Sequence, residues 1–394
     1  MTLKRIFRTL LLIIGLLLLV LAIVVAFNWT FITRAIKYPP DLDITTPEYY
    51  EPKAKVAGNF TQALPTADSL SISEVALQEL TDYVGEQNST ALLVLHKGKL
   101  LVEKYWERST AESFSNSQSM VKTITSLLLG KAIEEGKIGS EMDLASDYLE
   151  EWKGDAREKI TIQDLLYMQS GLRNEDDAAN PMHDLSWMYL GTDVEGATMA
   201  IPAEKEAGVL YEYNNANSQL LGIIIERATG IPIEEYASEK LWKPIGAKDA
   251  GWWLDRSDGM PKTFCCYFAR ARDWVRIGKM MLDNGKWEGK QVISESWIEK
   301  MLIPSKIERD YGYHLWLGFE DGGRKQKQRK QMFLEAVFTL DGREKQQVYV
   351  VPSEELVIVR IGEHPNEWDE GYIANVLIRA IQTEREKSKT TETI

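Results

Sequence analysis

The hydrophobic pattern opens with an unbroken apolar run, residues 10–27, that carries no charged side chain. At 1.5 Å per residue this run, extended by Thr9, Asn28 and Trp29, matches the roughly 30 Å hydrocarbon core of a bilayer. It is apolar on every side, unlike a surface helix with one apolar stripe. Lys4, Arg5 and Arg8 precede it, which puts the amino end in the cytoplasm and the remainder of the chain outside. A cleaved secretory signal is the rival reading. Its apolar core is usually about 7–15 residues long and ends at a small-residue site, which Val24-Val25-Ala26 matches only in part. The expectation is an uncleaved single-pass anchor in the cell (inner) membrane, with the folded part on the extracytoplasmic, periplasmic side. Trp29 and Phe31 suit the outer interface.

Beyond the anchor the pattern is punctuated. Residues 30–69 are irregular and proline-bearing, and read as a linker or extended arm. Ser71 or Ser73 can cap a helix through Val84; residues 91–96 and 100–106 read as a hairpin around Lys97-Gly98-Lys99. Helical spacing then predicts helices within 114–136, over 161–168 with Thr161 as cap, and over 218–229, 233–241, 273–282 and 296–302. Residues 333–340, 347–351 and 356–361 are rich in β-branched and aromatic side chains separated by turn signals, as antiparallel strands require. A closing helix follows over 368–384. The division is a basic flank (1–9), an anchor (10–29), an arm (30–69), one folded domain (70–384) and a polar tail (385–394). The fold class is mixed α/β (α+β), an antiparallel sheet flanked by helices plus an all-helical lobe.

With 394 residues and a net charge of −13, the chain holds a large core and does not suit a nucleic-acid partner, which demands clustered Lys and Arg. The basic run at 324–330 lacks interleaved aromatics and reads as a solvated loop. Cys265 and Cys266 are adjacent, and neighbours rarely form an unstrained disulfide, so no disulfide is expected. His96, His183, His314 and His364 stand singly, no metal-ligand spacing occurs, and no cofactor or metal is expected.

One pair suggests chemistry. Ser119 and Lys122 fall three residues apart at the start of the 114–136 helix, on one face, with Cβ atoms roughly 5–6 Å apart. A serine hydroxyl needs a base within reach, and burial or nearby positive potential lowers a lysine's pKa enough to provide one. The helix amino end also favours an anion. Ser119 is the one serine in the chain with lysine three residues on. Tyr213-Asn214-Asn215 is the one Tyr-x-Asn, just before a helix. A tyrosine there can lose its proton or relay one to a leaving group; the plain alternative is a turn in which Asn215 caps the helix.

Together these residues resemble the serine hydrolases of the class C β-lactamase and penicillin-binding-protein superfamily, for which Ser-x-x-Lys is a signature. The likeness extends over about 85–382 and includes ITIQDLLYMQSGL (160–172), NNANSQLLGIIIERATG (214–230), ARDWVRIGKMMLDNG (271–285), YGYHLW (311–316) and VYVVPSEELVIVRIG (348–362). The arrangement at 265–274 is similar to one near 6-aminohexanoate-dimer hydrolases. The resemblance implies a β-lactamase/transpeptidase-like fold and an acyl-enzyme on Ser119, with Lys122 as base and Tyr213 in proton transfer. Asn215 would contact substrate, and N–H groups of Ser119 and of the strand near Arg343 would hold the oxyanion, with Gly342 on that strand. The family's Lys/His-x-Gly strand element falls on Leu340-Asp341-Gly342: the glycine is present and the cation absent. That departure disfavours efficient penicillin hydrolysis and favours a small-molecule or peptide-like ester or amide lacking the carboxylate that the cation recognises. A β-lactamase or D,D-peptidase acting on cell-wall peptides is the first alternative. A non-catalytic envelope-binding protein on the same fold is the second.

Overall fold

A computed structural model describes residues 3–38, 47–107, 109–175, 177–320 and 330–392. Most of the basic run at 324–330 therefore lies outside the described residues. Helix α1 (Leu3–Phe27) is the apolar run, and α2 (Trp29–Lys37) follows it directly. Of the described helices, α1 alone is long and apolar enough to cross a membrane. After it come strand β1 (Lys53–Val56), helix α3 (Glu74–Gly85) capped by Ser73, and the hairpin β2 (Ser89–His96) and β3 (Lys99–Tyr105). Strand β4 (Ser115–Asn116) leads through a 3-10 turn, Gln118–Met120, into α4 (Val121–Glu134).

The helical middle holds α5 (Ile162–Leu166), α6 (Asp184–Leu190), α7 (Val194–Met199), α8 (Asn215–Thr229) and α9 (Ile233–Ala237). Thr161 and Asp164 close α5 with a reciprocal capping box. Strands β5 (Ala250–Trp253) and β6 (Tyr267–Ala269), helix α10 (Ala271–Leu282), the small hairpin β7 (Lys286–Trp287) and β8 (Lys290–Gln291), and α11 (Glu295–Met301) follow. The chain closes with β9 (Trp316–Gly318), β10 (Val337–Gly342), β11 (Gln346–Val351), β12 (Leu356–Gly362) and α12 (Glu370–Glu392).

The main sheet is antiparallel, in the order β3-β2-β12-β11-β10-β9. Its central strands are apolar at nearly every position because both faces are covered. Leu92, Val94, Tyr349 and Ile358 pack under α3 and α12, while Leu93, Leu95, Val348 and Val357 join the larger core. A second sheet, β1-β5-β6-β4, sits within the helical part, where the sequence suggested helices alone.

Among its described residues, the arm expected over 30–69 contributes β1 to this second sheet. Tyr50 is fully buried, and β1 pairs with β5 in register Lys53↔Trp253. The absent disulfide is a correction: Cys265 and Cys266 are bonded to each other. Extended backbone would point neighbouring side chains to opposite faces, but Cys266 has φ of 69°, which turns its sulfur toward its neighbour. Helix α12 also runs to Glu392, past the expected end near 384.

Buried Arg360 on β12 ties the main sheet to the turn after β10. Its guanidinium donates to the carbonyls of Glu344 (2.6 Å), Gln87 (2.7 Å) and Glu363 (2.8 Å). Arg360→Met leaves these acceptors unpaired, and the expected loss is roughly 2–4 kcal/mol of unfolding free energy, read as a lower urea midpoint at unchanged slope.

Candidate active site

Ser119 sits where the two sheets meet the amino end of α4. On one side, β4 pairs with β6 and the Ser117 N–H donates to the Tyr267 carbonyl at 2.8 Å. Gln118 takes a left-handed φ of 49°, held by its N–H bond to Asn116 Oδ1 at 2.9 Å. A non-glycine residue held there next to a reactive group is the kind of local strain that functional sites retain. On the other side, β10 ends against the same turn. A Cβ on Gly342 would overlap the Ser117 carbonyl oxygen and lie 3.1 Å from Gln118 Cβ, so only glycine lets the strand approach this closely.

Lys122 is the second residue of α4, one turn past Ser119, and is buried. Its Nζ is 2.8 Å from Ser119 Oγ and 2.8 Å from the Phe264 carbonyl oxygen. Phe264 is placed by the segment leading into β6. Burial alone pushes the Lys122 amine well below its ordinary value. The Tyr213 ring lies 4.9 Å from Lys122 Nζ, which puts its phenol in the neighbourhood of the Ser119 hydroxyl. Burial raises the Tyr213 pKa, outweighing the neighbouring Ser119 hydroxyl, which lowers it. Of the two routes considered for this tyrosine, deprotonation is thereby disfavoured and a neutral hydroxyl is retained.

Tyr213 is held from behind by Trp316 on β9, stacked at 5.8 Å and 17°, and edge-on by Tyr311 at 6.1 Å. The following helix is capped by Asn214, whose Oδ1 accepts from the Ala216 N–H at 2.9 Å. This corrects the alternative in which Asn215 is the cap. Asn215 is instead free to line the cleft.

The cleft has a volume of about 420 Å³ and brings together Ser119, Asn215, Phe264, Cys265 and Arg343. Leu340, at the position of the family's cation, is fully buried and is not among the lining residues. The cation contributed from the end of β10 is Arg343. Of the six singled-out residues, Ser119, Lys122 and Tyr213 thus gather at one centre, and Asn215 lines the cleft beside Ser119. Gly342 acts by close packing, and Arg343 lies on the rim.

Sequence reasoning missed His314. Its Nδ1 is 3.3 Å from the Lys122 carbonyl, and its own carbonyl accepts from Thr123 Oγ1 at 2.7 Å. Burial above all pushes its pKa down to about 3, so it is neutral packing around the lysine. Its neighbour Trp316 was missed also; the YGYHLW cluster was the available signal.

Residues 78–362 match the β-lactamase family. Over 243 residues the chain is 27% identical to the 6-aminohexanoate-dimer hydrolase of Paenarthrobacter ureafaciens, covering 59% of this chain and 62% of that one. Over 161 residues it is 27% identical to the N-acetylmuramyl-L-alanine amidase of Bacillus subtilis (strain 168), covering 39% and 36%. These matches span less than two thirds of the relatives' lengths. A solved Bacillus anthracis protein provisionally named 6-aminohexanoate-dimer hydrolase shares the fold, with a TM-score of 0.69, 21% identity, and coverage of 87% of this chain and 94% of that one.

Gly342→Ala is expected to push β10 off the Ser119 turn. Such a displacement of about 1 Å should slow fluorophosphonate labelling of the site roughly 10²-fold in a protein that still unfolds cooperatively.

Proposed function

The chain belongs to the β-lactamase family, and on that premise we propose that it is a membrane-anchored serine hydrolase that cleaves an ester or amide through a Ser119 acyl-enzyme. The observation that carries this reading is the 2.8 Å approach of a buried Lys122 amine to Ser119 Oγ, with a backbone carbonyl as the amine's other partner. An amine in that setting favours its neutral form. Its N–H groups can satisfy the Phe264 carbonyl, leaving the lone pair for the serine proton.

Lys122 takes the proton as Ser119 Oγ bonds to the substrate's carbonyl carbon. The developing oxyanion is held by the Ser119 N–H and by an N–H from the strand at Arg343. Collapse breaks the bond to the leaving group, which takes its proton from Lys122 by way of the neutral Tyr213 hydroxyl. Water then adds to the acyl carbonyl, giving up its proton along the same path, and Ser119 is released with its proton restored. Asn215 and Arg343 bind the substrate from the cleft wall. No cofactor is needed for this sequence. The amide hydrolases among the relatives support amides as one substrate class. The buried Leu340 argues against the carboxylate recognition that penicillins require.

Helix α1 is proposed as the membrane span, with the domain on the extracytoplasmic side. Recovery of peptides from residues 10–27 in the mature membrane fraction tests it; their absence overturns it.

The chemistry is tested with a fluorophosphonate and a fluorescent penicillin on the full chain. Strong phosphonate and weak penicillin labelling are expected. Ser119→Ala should abolish labelling, and label persisting in that variant overturns the assignment. Lys122→Met should slow turnover about 10²–10⁴-fold, as for loss of a general base. The base works only when neutral, so kcat/KM should fall as pH drops through its pKa. Because burial lowers that pKa, the limb should lie well below the ordinary lysine value of 10.5.

A further inference from the structure

Tyr38 lies forty residues before the family match begins, yet it lines the same cleft as Ser119. We propose that Tyr38 is a specificity-determining residue and that α2, the helix it follows, helps form a wall of the active site positioned by the anchor. The inference rests on Ser119 being the reacting centre.

Helix α2 is fixed to the domain. Buried Arg34 donates to the Gly191 carbonyl at 2.8 Å and the Leu190 carbonyl at 3.2 Å, both at the end of α6. Phe31 stacks on Trp187 at 4.5 Å, and the Tyr49 hydroxyl donates to the Arg34 carbonyl at 3.0 Å. Tyr38, immediately after α2, is set edge-on against Tyr49 (6.2 Å) and Tyr189 (5.8 Å). Tyr189 and Leu185, from α6, line the cleft beside it, so α2 and α6 form one aromatic wall. Arg343 and Asp177 line the same cleft. Burial raises the Tyr38 pKa, and the nearby Arg343 guanidinium, which lines the same cleft, opposes that rise. The ring of Tyr38 therefore spans from the wall toward the end of β10 and limits the width available to substrate.

The same helix follows α1 after a single residue, Asn28, whose backbone (φ −104°, ψ 18°) leaves the helical region. The Asn28 N–H donates to Val24 and the Ile32 N–H to Asn28, so the helical bonding passes through the junction. Helix α2 itself is nine residues, about 14 Å, long and ends at Lys37, with Tyr38 as its C-cap. The anchor thus holds the wall at a set distance from the membrane, and any form of the protein lacking 29–38 lacks one side of its cleft.

The test uses the full chain in detergent micelles and compares kcat/KM for p-nitrophenyl acetate and octanoate. Tyr38→Ala should raise the octanoate-to-acetate ratio about fivefold or more, and Tyr38→Trp should lower it by a similar factor, in the range that a few methylenes command in an apolar pocket. Tyr38→Phe should keep the ratio, since the ring forms the wall. Thermal unfolding identifies any variant that fails to fold, and the Trp and Phe variants then decide the matter. A purely structural residue would change both esters by one factor; that outcome, or an unmoved ratio, overturns the proposal. A parent chain unlabelled by fluorophosphonate overturns the reading of Ser119 and this inference with it. A labelled parent with an unmoved ratio overturns the role of Tyr38 alone.

Discussion

The arrangement around Ser119 depends on one constraint, the burial of the Lys122 amine with a serine hydroxyl and a peptide carbonyl as its polar partners. A charged ammonium in that position would lose its hydration without a carboxylate close by to compensate, which is costly in a protein interior. Releasing the proton removes that cost. The proposed base therefore follows from packing rather than from a charge partner: α4 is buried on nearly all sides, His314 closes one flank in its neutral form, and Tyr213 covers another with its ring. The two sheets serve the same end. β6 fixes the Phe264 carbonyl that orients the amine, and β10, through Gly342, reaches the turn that carries the hydroxyl.

Much of this was legible along the chain because it is local. Ser119 and Lys122 are one helical turn apart, the Thr161 cap and the 218–229 helix follow from short-range patterns, and the strands at 347–351 and 356–361 declare themselves by composition. The contacts that complete the site are not local. Phe264 meets Lys122 across 142 residues, and Trp316 meets Tyr213 across about a hundred. No periodicity encodes those meetings. The second sheet escaped notice for a related reason: β4 and β6 are two and three residues long, too short for an alternating pattern to emerge. The Cys265–Cys266 bond was missed because the usual geometry of disulfides concerns residues distant in sequence, and a single left-handed residue suffices to change that.

The arm at 30–69 carries a broader lesson. Its prolines and irregular spacing suggested a linker or extended arm, and irregular spacing is what a segment shows when it is buried piecemeal. Arg34 satisfies carbonyls at the end of α6, Tyr50 fills the core, and β1 completes a sheet edge. Each contact is made by one or two residues, so no apolar stripe forms. The departure at Leu340 is likewise intelligible only in place. With a fully buried leucine there, the strand presents its cation one residue beyond the glycine, at Arg343, in the same cleft as a tyrosine from the arm. The cleft is thus bounded both by the strand element of the family and by a segment outside it.

The central claim is that Lys122 is neutral at physiological pH because it is buried. Titrating its side chain by ¹³C–¹⁵N NMR, with the Lys122→Met variant assigning the resonance, tests this most directly. The account predicts a neutral amine at pH 7.5, with its protonation midpoint far below those of the surface lysines. A Lys122 that titrates among them and carries a full charge at neutrality would contradict it.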